Sequence, residues 1–438
     1  MTISFSKTAL LLPLLILAGT AAGAQDPAPT ATVIAVPPLA TAKNVDTDAG
    51  TTTWGLANQI SDLIIADLKS TDAFILADIS NVRIPSYPEV TAPAYAQWRS
   101  VHAKLLLSGF VNARDDGRLT VGCYVYDVQS GRELARQGFA VSPNEWRRAA
   151  HRCADAAYVK ASGRAPQFDS RIAYIAESGR PESPTKRLAV MDFDGANHSF
   201  LTDEQVTVLT PRWSPKADRI AYVSLSGGNP QVRIADVSSS ADRPLLPPGS
   251  VSFAPAFSPD GQRIALTISL NANSDIYSVP VDGNFPQRLT ASPAIDTSPS
   301  FSPDGSRIVF VSDRSGSPQL YVMDSDGSNQ RRISFGGGDY GAPAWSPGGE
   351  RIAFVRSQGP LSAVGSMAVD GSDERIVTRG PNDEEPAWSP DGSRIVFQRQ
   401  DPATRRTALA MVPAAGGEVR SVLTPQAASD PSWAERQE

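Results

Sequence analysis

Cysteine and histidine are scarce in this chain, with two and three copies in 438 residues. Two cysteines cannot complete a structural zinc site by themselves. In an exported protein Cys123 and Cys153 can pair, although unpaired buried cysteines are just as familiar. Basic excess is also missing: 40 Lys and Arg face 46 Asp and Glu, for a formal charge of −6. That balance gives no support to nucleic-acid binding, which usually shows a basic stripe. No Gly-x-Ser-x-Gly elbow occurs, so a serine hydrolase of that type is excluded. His102, His151 and His198 stand far apart, in no pattern of metal-ligand spacing. Beyond residue 18 no apolar run approaches the ~18 residues of a membrane-spanning helix.

The one long apolar run lies at the start. Lys7, the leucine-rich stretch from Ala9 to Ala18 and the small residues Ala22-Gly23-Ala24 have the layout of a secretory leader. Cleavage after Ala24 is expected, and no cysteine near the cut offers a lipid attachment point. The expected product is exported and touches membranes only through partners.

What is abundant is a repeat. Pro299-Ser300-Phe301-Ser302-Pro303-Asp304-Gly305-Ser306-Arg307-Ile308 returns with its aromatic at Trp213, Phe257, Trp345 and Trp388, in steps of 44, 44, 44 and 43 residues. A period of about 40–45 residues with a turn and strand in each copy is the mark of a β-propeller. Pro-x-Trp/Phe-Ser-Pro suits an inner edge strand, where proline's missing donor is tolerated. Pro-Asp-Gly makes the turn. Arg-Ile-Val-Phe-Val is a continuous apolar run for a strand covered on both faces. A sixth aromatic, Trp433, comes 45 residues after Trp388, while Arg171-Ile172-Ala173-Tyr174-Ile175 has the second-strand pattern without a first strand. The C-terminal strand is therefore expected to complete that blade and close a six-bladed ring.

Residues 25–162 lack the period and read as a small α/β domain. Strands are expected at 32–36, 74–76, 104–110, 119–128 and 132–141. Helices are expected at 53–68, 94–102 and 144–160, the last capped by Ser142 or Asn144. On the first helix Trp54, Ala57, Ile60, Ile64 and Leu68 mark the expected buried face. Residues 163–167 read as a linker, and 168–438 as the ring.

A leader, a small α/β domain and a six-bladed ring of Pro-x-Trp-Ser-Pro-Asp-Gly-x-Arg-Ile repeats together resemble the TolB family of the Tol-Pal system of Gram-negative bacteria. The resemblance implies a periplasmic adaptor without enzymatic activity or cofactor, serving outer-membrane integrity and cell division. Its expected partners are the lipoprotein Pal at the channel mouth and TolA through the N-terminal region, with colicin peptides able to enter the same mouth. The family's Pal-binding positions match best at Phe253-Ala254 and Asp296-Thr297. The residues before each Pro-x-Trp/Phe motif should ring the mouth, which adds Thr210, Ser298, Ala342, Glu384 and Glu385, with Tyr340 and Asp383 as neighbours. Two features depart from the family pattern: blade two carries Pro215-Lys216-Ala217-Asp218 in place of Pro-Asp-Gly, and only Gln25 to Ala31 precede the first strand. The rival readings are a metal-dependent lyase or lactonase, with Asp296, Asp339, Asp383 and Glu384 around a channel calcium ion, and an exported polysaccharide- or peptide-binding protein.

Overall fold

The computed structural model describes residues 31–436 except Pro181, Gln205 and Gly227. The expected leader lies outside these residues. The first domain holds β1 (Thr32–Ala35), α1 (Thr53–Lys69), β2 (Phe74–Leu76), α2 (Tyr95–Ser100), β3 (Leu105–Ala113), β4 (Leu119–Asp127), β5 (Glu133–Val141) and α3 (Trp146–Ser162). Its sheet runs β2-β1-β3-β4-β5, parallel from β2 to β3 and antiparallel beyond.

Helices α1 and α3 cover one face, packing Leu56, Ile60 and Ile64 with Ala150 and Ala157 on Leu107, Val111, Val121 and Val125. On the other face Trp98 of α2 is buried among Ala35, Leu106, Tyr126 and Val128. Cys123 of β4 and Cys153 of α3 form a disulfide, with Cα atoms 5.7 Å apart, pinning α3 to the sheet. Thr52 caps α1, its hydroxyl accepting from the Gly55 amide at 3.2 Å.

Two local expectations change. Trp54 is 63% exposed, because the buried arc of α1 is centred on Leu56, Ile60 and Ile64 and Trp54 falls on its far side. Neither Ser142 nor Asn144 caps α3: a 3-10 turn, Pro143–Glu145, leads into the helix, and the Ser142 hydroxyl donates to Glu145 at 3.0 Å.

Six four-stranded antiparallel blades follow. Blade one combines Ala427–Glu435 with Ser170–Arg180, Ser183–Asp192 and Ser199–Phe200, so the C-terminal strand does close the ring. Trp433 stands opposite Ile172 and Ala434 opposite Arg171. The other five blades span residues 208–244, 251–288, 296–332, 339–376 and 383–421. The second strands are buried on both faces, as Ile308, Val309 and Phe310 illustrate. Gly305, at φ +71°, takes the left-handed position of the Pro-Asp-Gly turn; in blade two Ala217 adopts it at φ +52°.

The two domains share one hydrophobic core. Phe168 is buried between Tyr158 of α3 and Phe193 of blade one, with ring centroids 5.5 and 5.7 Å away. Among the described residues no helix is long and apolar enough to cross a membrane.

Candidate functional site at the channel mouth

The inner strands carry a feature that the repeat pattern did not announce. In each blade the residue before the Pro-x-Trp/Phe motif has positive φ: Thr210 +45°, Ala254 +51°, Ser298 +53°, Ala342 +44°, Glu385 +50° and Asp430 +51°. At each one the register with the second strand slips, making a bulge. Left-handed backbone at a non-glycine residue costs of order 1–3 kcal/mol and persists only where the surrounding fold over-determines it. The proline fixed in every inner strand was the available signal, since within sheets proline keeps to edges and bulges.

The bulges shape a narrow channel with a cavity of about 270 Å³. Thr210, Ala254, Ser298, Ala342 and Glu385 line it, as do the small residues Ala256, Ser300, Ala344, Ala387 and Ser432 from the second position of the motif. Arg212 breaks that small-residue rule. It reaches across the ring to Glu385 at 3.0 Å and ties blade two to blade six. Asp430 lies beside this pair. Burial, and then the nearby Glu385 carboxylate, push its pKa upward.

The remaining expected residues sit outside the cavity lining. Asp296 and Asp383 are fully buried, each gripped by an arginine: Arg314 holds both oxygens of Asp296 at 3.0 Å, and Arg399 holds Asp383 at 2.6 and 2.8 Å. Tyr340 is buried and donates to Glu374 at 2.9 Å. Phe253 packs against the core shared by blades two and three. The Thr297 hydroxyl is 3.2 Å from that of Thr267, and exposed Glu384 accepts from Ser362 at 3.2 Å. With Asp296 and Asp383 already neutralised, the geometry does not favour an acidic calcium cage.

The surface around the mouth is uneven. Loops 225–230, 245–250, 270–273, 289–295, 333–338 and 359–360 contain no charged residue. Loop 313–318 turns its charges inward, Asp313 accepting the Ile295 amide at 2.9 Å and Arg314 holding Asp296. Leu270, Ile295, Phe335 and Leu361 stand exposed on this arc, Phe335 at 72%. Blades six and one carry the charged loop residues, among them Arg379, Asp401, Arg405, Asp203 and Glu204.

Comparison with known proteins agrees with this architecture. A family model described as the TolB beta propeller domain matches residues 158–437, and one described as the TolB amino-terminal domain matches residues 25–134. The chain belongs to the TolB family. The crystal structure of TolB from Acinetobacter baumannii superposes with a TM-score of 0.77 at 27% identity, covering 92% of this chain and 96% of that one. The Tol-Pal system protein TolB of Zymomonas mobilis is 49% identical over 206 residues, 47% of this chain and 45% of that protein. The protein of the same name from Cereibacter sphaeroides is 42% identical over 250 residues, 56% and 55% of the two chains. The matched stretches thus span about half the length of these curated relatives.

At the base of this TolB-family propeller, opposite the mouth, α3 docks through charge. Arg148 pairs with Asp169 at 3.1 Å, Arg147 with Asp194, and the Tyr158 hydroxyl donates to Asp391 at 2.6 Å. The Asp155 carboxylate accepts the amides of Gln167, Phe168 and Asp169 at 2.8–2.9 Å, so the expected linker is clipped to α3 at its end. Burial nonetheless raises Asp155 to about 6. His151, Asp192 and Asp194 bring candidate ligand atoms within 4.8 Å of one another, a grouping invisible in the sequence. Its carboxylates already serve Arg147, Arg436 and Asn197, which makes it a charge network and not an open metal centre.

Proposed function

We propose that this protein is the propeller adaptor of a Tol-Pal system, acting in the periplasm without catalysis. In this reading the mouth receives the peptidoglycan-associated lipoprotein Pal, and the N-terminal region contacts TolA. Colicin peptides would compete for the same mouth. Family membership supports the system, and the charge-poor, partly apolar arc around a narrow preformed channel supports the docking face. Interface centres are depleted in charge and enriched in aromatic anchors, and the arc offers charge-free loops and one exposed aromatic, Phe335. No histidine among the described residues lines the channel cavity, and its one acid-base pair, Arg212 with Glu385, is mutually neutralised. Both features suit an adaptor better than a lyase or lactonase.

Calorimetric titration of the purified mature chain with the soluble domain of its cognate Pal tests the reading. Binding should weaken by at least about 30-fold, the scale of a hot-spot loss, in Thr297→Arg and Phe335→Glu, with the melting temperature unchanged. Binding unaffected by both variants would move the site away from the mouth. An absence of binding by the wild-type chain would remove the Pal assignment.

A further inference from the structure

His151 is a deeply buried titratable group at the junction of the two domains, 2% exposed. Its Nδ1 lies 2.8 Å from Asp67 Oδ2 of α1, a contact in which the protonated imidazole donates to the carboxylate. Its Nε2 has no hydrogen-bond partner, and the nearest charged atom is Asp194 Oδ2 of blade one, 3.8 Å away. Asp192 faces it from the same turn, Arg147 shares its helix and holds Asp194, and the Phe193 ring closes the site at 5.4 Å. A neutral imidazole donating to Asp67 turns a bare lone pair toward a carboxylate. A protonated one presents a donor there.

We propose that His151 is a proton-operated bolt between the α/β domain and the propeller, closed when its imidazolium spans Asp67 of one and Asp194 of the other. Asp194, which Arg147 also holds, is the blade-one carboxylate within 4 Å of Nε2, and so it is the arm that crosses the junction. Burial by itself would lower the imidazole's pKa, but Asp67, and then Asp194 and Asp192, outweigh it and raise the pKa above 6.5. A raised histidine contributes stability that is fully present below about pH 6.5 and lost as pH rises through the folded-state value. The bolt therefore loosens toward alkaline pH.

The test uses the full mature chain. The melting temperature of wild type minus that of His151→Gln should fall by roughly 2–4 °C between pH 6 and 8.5; a constant difference would overturn the proposal. Should His151→Gln not fold, the wild-type imidazole is titrated by NMR, with His102→Gln and His198→Gln for assignment. A midpoint above 6.5 agrees, and one below refutes. Asp194→Asn must then lower that midpoint. If it stays unmoved, the histidine answers only to Asp67 within its own domain, and no interdomain bolt exists.

Discussion

At the base of the propeller, charged side chains bridge two domains: Arg147, Arg148, Asp155 and Tyr158 of α3 all meet partners in blade one, blade six or the entering strand. At the mouth, part of the charge is turned inward, with Asp296, Asp383 and Glu374 each held by an arginine of its own blade. The same residue types thus weld one end and clear the other. A buried ion pair roughly cancels its own desolvation, so it adds little net stability, yet removing one partner strands a charge. Within blades four, five and six these pairs fix the strand ends beneath the mouth. Across the domain junction they fix the docking angle.

Substitutions at the two ends probe this contrast. The largest effect should come from deleting residues 430–438, which removes most of the inner strand of blade one together with Trp433. A Trp→Ala change by itself costs about 3–5 kcal/mol in a core, and the open ring would also expose the edge at Ser170–Ala173. Calorimetry should show loss of the cooperative transition; a truncated chain melting like the parent would mean that closure is not what holds the ring. At the base, Asp155→Ala orphans three buried amides and should cost roughly 4 kcal/mol in urea unfolding, at about 1–3 kcal/mol per orphaned group with partial relief by water. At the mouth, Arg314→Ala leaves Asp296 buried without its counter-ion and should cost about 3 kcal/mol, the low end for a broken buried pair, because Arg314 is partly exposed. If Asp155→Ala separates into two unfolding transitions while Arg314→Ala keeps one, the base is the weld between domains. Equal cooperativity in both variants would erase the distinction.

Much of this was legible in the chain. Each repeat encodes its own turn and strands through neighbours a few residues apart, so periodicity alone yields the blades. The split blade follows from a first strand at Trp433 that lacks its continuation and a second at Arg171 that lacks its beginning. The mouth was legible in outline, because the residue before each proline must sit at the strand end that opens on the channel. Helical period located α1 but not the centre of its buried arc, since Trp54 fits the spacing and still faces solvent.

The sequence by itself determined the number of blades, the order of domains and the family, because those rest on local turn chemistry and on patterning that repeats along the chain. Only the tertiary structure decided which charges are spent inside the molecule and which are not. Arg212 meets Glu385, 173 residues away, Tyr158 meets Asp391 at 233, and His151 finds Asp67 at 84. No spacing rule connects such positions. They are joined by ring closure, domain docking and, for His151 with Asp67, the packing of α3 on α1, which bring distant side chains within Coulombic reach and exclude the water that would otherwise screen them.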